Sequence, residues 1–109
     1  GDKFISVGES SSVYIEDLYV KNVNIGIASK DSSKLNVKNL KMSNGKIAVA
    51  AYQKKTEYGP AQIKLKDAEI KNFEYTFLSE IKSSISSDGI IIENSTYDYG
   101  KLWKILNYF

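Results

Sequence analysis

The chain has 109 residues and 42% hydrophobic content, enough for one domain with a modest core and too apolar for global disorder. Its net charge of +2, from 15 basic and 13 acidic residues, is too balanced to point to nucleic acid or a membrane surface. All the basic residues are Lys, and the absence of Cys, His and Arg removes thiol chemistry, the commonest general base and the bidentate clamp for carboxylate or phosphate.

The strongest signal is an internal repeat. Shifting the chain by 22 positions lays Ile27 on Ile5, Asp31 on Glu9, Leu35 on Val13 and Val37 on Ile15. The same shift lays Asn39 on Asp17, Leu40 on Leu18, Met42 on Val20 and Asn44 on Asn22. A fixed period of this size fixes an architecture before any single residue is interpreted. Within each repeat the apolar residues alternate with polar ones, which is the period of a strand and not of a helix.

The first rung begins with Ile5 and Val7, turns at Glu9–Ser12, and continues through Val13 and Ile15, then Leu18 and Val20. The second repeats this over residues 25–46. The third starts at Ile47 and Val49 and carries six extra residues within Lys54–Ala61, so that Ile63 and Leu65 fall 28 positions after Leu35 and Val37. It resumes with Asp67, Ala68, Ile70 and Asn72. The fourth is degraded, with Tyr75 and Phe77, a Ser-rich turn at Ser83–Asp88, then Ile90, Ile92, Asn94 and Tyr97. Two polar columns follow, Asp17, Asn39, Asp67 and Asn94 at one corner and Asn22, Asn44 and Asn72 at another. Asn and Asp tolerate left-handed backbone and bond locally, which suits tight corners. Finally Leu102, Ile105, Leu106 and Phe109, with Trp103 beside them, have the spacing of a short amphipathic helix closing the open end of the stack, although a strand fits so short a window.

The motifs V-Y-I-E-D-L-Y-V-K-N, L-N-V-K-N-L-K-M-S-N and I-K-L-K-D-A-E-I-K-N resemble the coils of the right-handed parallel β-helix (pectate-lyase-like) superfamily. The resemblance implies an all-β fold of three to four coils of about 22 residues, near 4–24, 25–46, 47–74 and 75–97, with a C-terminal cap over 98–109. It also implies a bacterial extracellular or surface protein, of which this chain, starting inside the repeat at Gly1, is a C-terminal part. Many members of the superfamily bind or cleave acidic polysaccharides. Three functions stay open: a non-catalytic structural or polysaccharide-binding module, the tail of a lyase or hydrolase with catalytic coils upstream, and an assembly element that makes a homo-oligomer through the open N-terminal coil.

Catalysis finds little footing. The expected outward positions of the first strands are Phe4 and Ser6, Gly26 and Ala28, Ala48 and Ala50, then Thr76 and Leu78, none of them an acid or base. No catalytic residue, metal ligand set or cofactor is assigned. The binding candidates are Glu9 and Asp31, one rung or about 5 Å apart, and the insertion residues Tyr52, Lys54, Lys55 and Tyr58. Aromatic faces beside ammonium groups suit an anionic saccharide. Like carboxylates at that spacing need a cation, a Lys or a proton between them.

Overall fold

The computed structural model describes residues 3–55, 57–93 and 96–107. In chain order it has strands β1 (Lys3–Val7), β2 (Ser12–Lys30), β3 (Lys34–Tyr52), β4 (Gln62–Glu80), β5 (Ser84–Ser87), β6 (Ile90–Ile91) and β7 (Thr96–Tyr97), then helix α1 (Tyr99–Asn107). One sheet holds them in the order β1-β2-β3-β4-β5-β6, with β7 paired to β4. Every pairing is parallel except β5 with β6.

The long strands cannot be straight. Nineteen residues of extended chain would reach about 63 Å, and the longest dimension of the molecule is 33 Å. They bend at corners where one residue takes positive φ. These are Asp17 (62°) and Asn22 (55°) in β2, Asn39 (58°) and Asn44 (63°) in β3, and Asp67 (54°) and Asn72 (60°) in β4. They are the residues that the repeat stacks in columns. Ordinary L-residues are strained at such angles, while Asn and Asp accept them. The columns are also bonded: Asn39 Nδ2 donates to Asp17 Oδ1 (2.6 Å), and Asn72 Nδ2 donates to Asn44 Oδ1 (3.1 Å). Asn94 lies outside the described residues.

Pairing follows the repeat. Val13 lies beside Leu35, Leu18 beside Leu40 and Ile27 beside Val49, each 22 positions on. Leu35 lies beside Ile63 and Leu40 beside Ala68, 28 positions on, because the insertion intervenes. The all-β parallel stack is compatible with a β-helix. Its central core is built from Ile27, Leu35, Val37, Leu40, Val49, Ile63 and Ile85, all nearly fully buried.

The fourth rung departs from the sequence reading. The Ser-rich segment expected as a turn contains strand β5, with Ile85 buried beside Ile63. Ile90, expected to continue the rung, instead lies in β6, which folds back against β5. The reversal sits at Asp88 (φ 50°) and Gly89 (φ 83°). An Asp-Gly pair between strands is a strong signal for a two-residue hairpin, because both residues accept positive φ.

Helix α1 starts with Asp98, whose Oδ1 accepts the Lys101 N–H (2.9 Å) in the manner of an N-cap. Its Leu102 and Leu106 join a second buried cluster with Ile25, Ala28, Ile47, Ala50, Tyr52 and Leu78. These residues come from three successive strands, and the helix packs on that side of the stack. The small side chains of Ala28 and Ala50 leave room for it. The expected outward set is corrected in part. Ala48 joins the central core, and a Cβ on Gly26 would meet the Ala48 carbonyl oxygen at 2.6 Å, a backbone clash that disfavours any other residue there. The side chain of Trp103, and Phe109, lie outside the described residues.

Replacing Asn39 with Leu removes the bond to Asp17 and places a γ-branched side chain at φ 58°. The expected loss is about 1–3 kcal/mol, measured by urea titration, with a smaller loss for Asn39→Asp, which tolerates the angle.

Candidate functional site

Two surfaces carry side chains suited to a ligand. The first is the turn after β2 with the insertion that packs on it. Asp31 is fully buried, and its backbone is left-handed at φ 46°. Its Oδ1 accepts the backbone N–H groups of Lys54 (2.6 Å) and Lys55 (2.9 Å). Its Oδ2 has no hydrogen-bond partner among the described residues. Other polar groups hold the insertion at further points. The Gly59 carbonyl accepts the Ser32 N–H (2.8 Å), and buried Glu80 accepts the Gln53 N–H through Oε1 (3.1 Å). The Gln53 side-chain amide donates to the Tyr58 carbonyl.

Glu9 takes different partners from Asp31. Its Oε1 accepts from Lys55 Nζ (2.6 Å) and its Oε2 from the Tyr58 hydroxyl (3.2 Å). The Lys55 bond, then the Tyr58 bond, hold the Glu9 carboxyl below its ordinary value. Bonding to Glu9 pushes Lys55 and Tyr58 upward in turn. The two carboxylates therefore do not share a cation between them. Asp31 turns inward onto backbone and Glu9 outward onto the insertion's side chains. Among the described residues no group of three or more His, Cys, Asp or Glu side chains is placed to hold a metal ion.

Of the residues singled out in the sequence, Glu9, Asp31, Lys55 and Tyr58 come together. Lys54 is exposed beside them, with its backbone held by Asp31. Tyr52 is 4% exposed and belongs to the cluster beneath α1, so its ring presents no face to a saccharide. Burial, and secondly the charge of Asp31, push its hydroxyl pKa up.

The second surface escaped the sequence reading. It is the outward side of the strand segments that follow the first turn of each rung: Ser12–Glu16 in β2, Lys34–Lys38 in β3, Gln62–Lys66 in β4, and β5. A groove of about 880 Å³ runs here between Tyr14 and the β5–β6 hairpin. Lys38, Lys64 and Lys66 line it. Asn36 is in register with Lys64, and Lys38 with Lys66. Neighbouring parallel strands are about 4.8 Å apart, and like charges directly opposed repel. None of these three lysines has a carboxylate within ion-pair distance among the described residues. Glu16, beside Lys38, accepts the Tyr14 hydroxyl instead (2.9 Å), and Asp88 Oδ1 accepts the Asp67 N–H (3.1 Å). The signal was present as alternating lysines in K-L-N-V-K and I-K-L-K. Those lysines fall at the outward positions of the second strand segments, which alternate with the inward apolar ones.

Comparison with protein-family models, with curated proteins and with solved structures gives no match for this chain. Its chemistry must be read from these surfaces. Both place lysines beside a tyrosine ring, Lys55 beside Tyr58 on the first and Lys38 with Tyr14 on the second. Among the described residues no helix is long and apolar enough to cross a membrane.

Two expectations follow for the first surface. Asp31→Ala strands two backbone donors and puts Ala at left-handed φ, costing about 2–3 kcal/mol. In limited trypsin digestion cleavage after Lys54 and Lys55 should accelerate, and Asp31→Asn, which keeps an acceptor and tolerates the angle, should resist better. The Glu9 contact has a defined sign with pH. Its folded pKa lies below the ordinary 4.5, so its contribution is present above the unfolded value and lost as pH falls through the lower folded one. Glu9→Gln should flatten the acid limb of stability against pH, followed by denaturation at stepped pH.

Proposed function

We propose that this chain is a non-catalytic module of a right-handed parallel β-helix, of three to four coils, that holds an acidic polysaccharide in a bacterial extracellular or surface protein. The observation that carries the reading is the juxtaposition of Lys38 and Lys66 on adjacent strands, without carboxylate partners, in a groove bordered by Tyr14. An anionic polymer laid across the strands relieves that repulsion, and the strand register keeps the lysine backbones side by side before it arrives. Lysine acts as a point charge on a flexible stem, which suits a polymer recognised by charge density more than by one fixed geometry. Tyr14, exposed at the edge of the groove, supplies a ring for a sugar face. The absence of Arg and His from the chain fits binding better than turnover.

Isothermal titration with polygalacturonate and with neutral dextran tests this. The chain should bind the first alone, and more weakly as salt rises. Lys38→Gln combined with Lys66→Gln should weaken binding about 5–10-fold, since each exposed charge contact contributes up to about 1 kcal/mol. Equal binding of dextran, or unchanged affinity in the double variant, would sink the reading. A loss confined to Lys54→Ala would place the ligand on the insertion instead.

A further inference from the structure

The cationic groups of the lysine-lined groove are confined to two strands. Its face is crossed by Ser12–Glu16 of β2, Lys34–Lys38 of β3, Gln62–Lys66 of β4 and then β5, in that order. β3 contributes Lys34 and Lys38, and β4 contributes Lys64 and Lys66, all four exposed. The two outer segments carry no lysine. The charged residue that ends each of them is an acid, Glu16 in β2 and Asp88 directly after β5.

The strand register fixes the order of these charges. Glu16 is in register with Lys38, and Lys38 with Lys66. Asp88 stands beside Lys66, since its N–H donates to the Leu65 carbonyl (2.9 Å) and its Oδ1 accepts the Asp67 N–H (3.1 Å). The row therefore reads acid, lysine, lysine, acid, in steps of about 4.8 Å. Asp17 and Asp67 follow Glu16 and Lys66 at the corner itself and close a third side of the cationic patch.

A ligand crossing the strands meets these groups one strand at a time. Anionic units over β3 and β4 approach lysines. A unit over β2 or β5 approaches a carboxylate, and an anion there is repelled. What the outer strands offer suits an uncharged sugar. On β2 the exposed Tyr14 ring supplies an apolar face, and the Glu16 carboxylate accepts hydroxyls, as it accepts that of Tyr14. On the other side Ser84, Ser86 and Asp88 line the groove with hydroxyl and carboxylate oxygens. We infer, on the basis of the polysaccharide reading above, that the groove selects two consecutive anionic sugars flanked by neutral ones. Glu16 and Asp88 set that limit by rejecting charge on the flanking units.

The rejection is local. At physiological salt, charges more than about 8 Å apart are largely screened. Glu16 and Lys66 are two strand spacings apart, about 10 Å. Each acid therefore acts most on the unit over its own strand and leaves the attraction of the far lysine intact. A polymer charged on every sugar still binds through two units, but its outer charges oppose binding and do not add to it.

Isothermal titration with digalacturonate and tetragalacturonate, in the wild type and in Glu16→Gln combined with Asp88→Asn, tests the inference. Both substitutions keep an acceptor for the Tyr14 hydroxyl and the Asp67 N–H, and Asn accepts the backbone angle at 88 (φ 50°), so far-UV circular dichroism should be unchanged. The variant should bind tetragalacturonate about five- to ten-fold more tightly than the wild type does, and digalacturonate no more than about two-fold. Lys38→Gln combined with Lys66→Gln separates this inference from the reading beneath it. Digalacturonate that fails to bind, or that binds the lysine variant as well as the wild type, overturns both. If losing the lysines weakens digalacturonate while losing the acids shifts the two oligomers equally, or neither, the two-unit limit is overturned and the polysaccharide reading stands.

Discussion

A parallel ladder that turns corners is the constraint on which everything else depends. Each rung satisfies its backbone through the rung above and below, so the chain must bend without losing register. It does so where one residue per corner adopts left-handed φ, and Asp17, Asn22, Asn39, Asn44, Asp67 and Asn72 occupy those points. Their side chains bond along the stack as well, Asn39 to Asp17 and Asn72 to Asn44. The same residue type therefore solves the local backbone problem and the stacking problem. Because the corners recur at one spacing, apolar residues fall into continuous buried columns, and outward residues fall into columns of their own.

That register converts sequence repetition into surface chemistry. Residues such as Lys38 and Lys66 are far apart in the chain and adjacent in space. Repetition that is harmless in an isolated strand becomes concentrated charge on the stacked face. The same rule explains the opposite flank, where Ala28 and Ala50 form a shallow surface that accepts Leu102 and Leu106 of α1. One outer face is thus covered by the chain itself while another stays open and cationic. The covered face includes the first-strand positions Ala28, Ala50 and Leu78.

The insertion shows how a rigid stack tolerates added length. Six residues enter at a turn and the register resumes 28 positions on, without disturbing the strands on either side. The cost of ordering the loop is met by buried carboxylates, Asp31 and Glu80, which accept backbone N–H groups of Gln53, Lys54 and Lys55. Buried acids are expensive unless bonded, and here bonding to an otherwise unsatisfied loop backbone gives them a structural role. Glu9 fixes the outer side of the same loop through Lys55 and Tyr58. A glutamate and an aspartate at matching positions of successive repeats thus hold one loop from two sides and form no acid pair.

The sequence by itself determined the stack. The 22-residue repeat, its two-residue alternation and the Asn and Asp columns are local or strictly periodic properties, and the strands, the register and the left-handed corners follow from them. The Asp88-Gly89 hairpin was equally legible and was missed, because the fading repeat was extended through Ile90 when a turn signal stood in its way. Only the tertiary structure decided which faces are open. Whether Tyr52 presents a ring or is buried, whether Ala48 points inward or outward, and whether Leu102 and Leu106 cover an end or a flank depend on which surfaces meet across the fold. It likewise decided that Glu9 and Asp31 turn apart, since the repeat places their backbones one rung apart but side-chain direction is set by the donors each carboxylate finds. Periodicity fixes where a residue lies along a strand; burial and hydrogen bonding depend on contacts between distant segments, and these carry no period for a sequence to show.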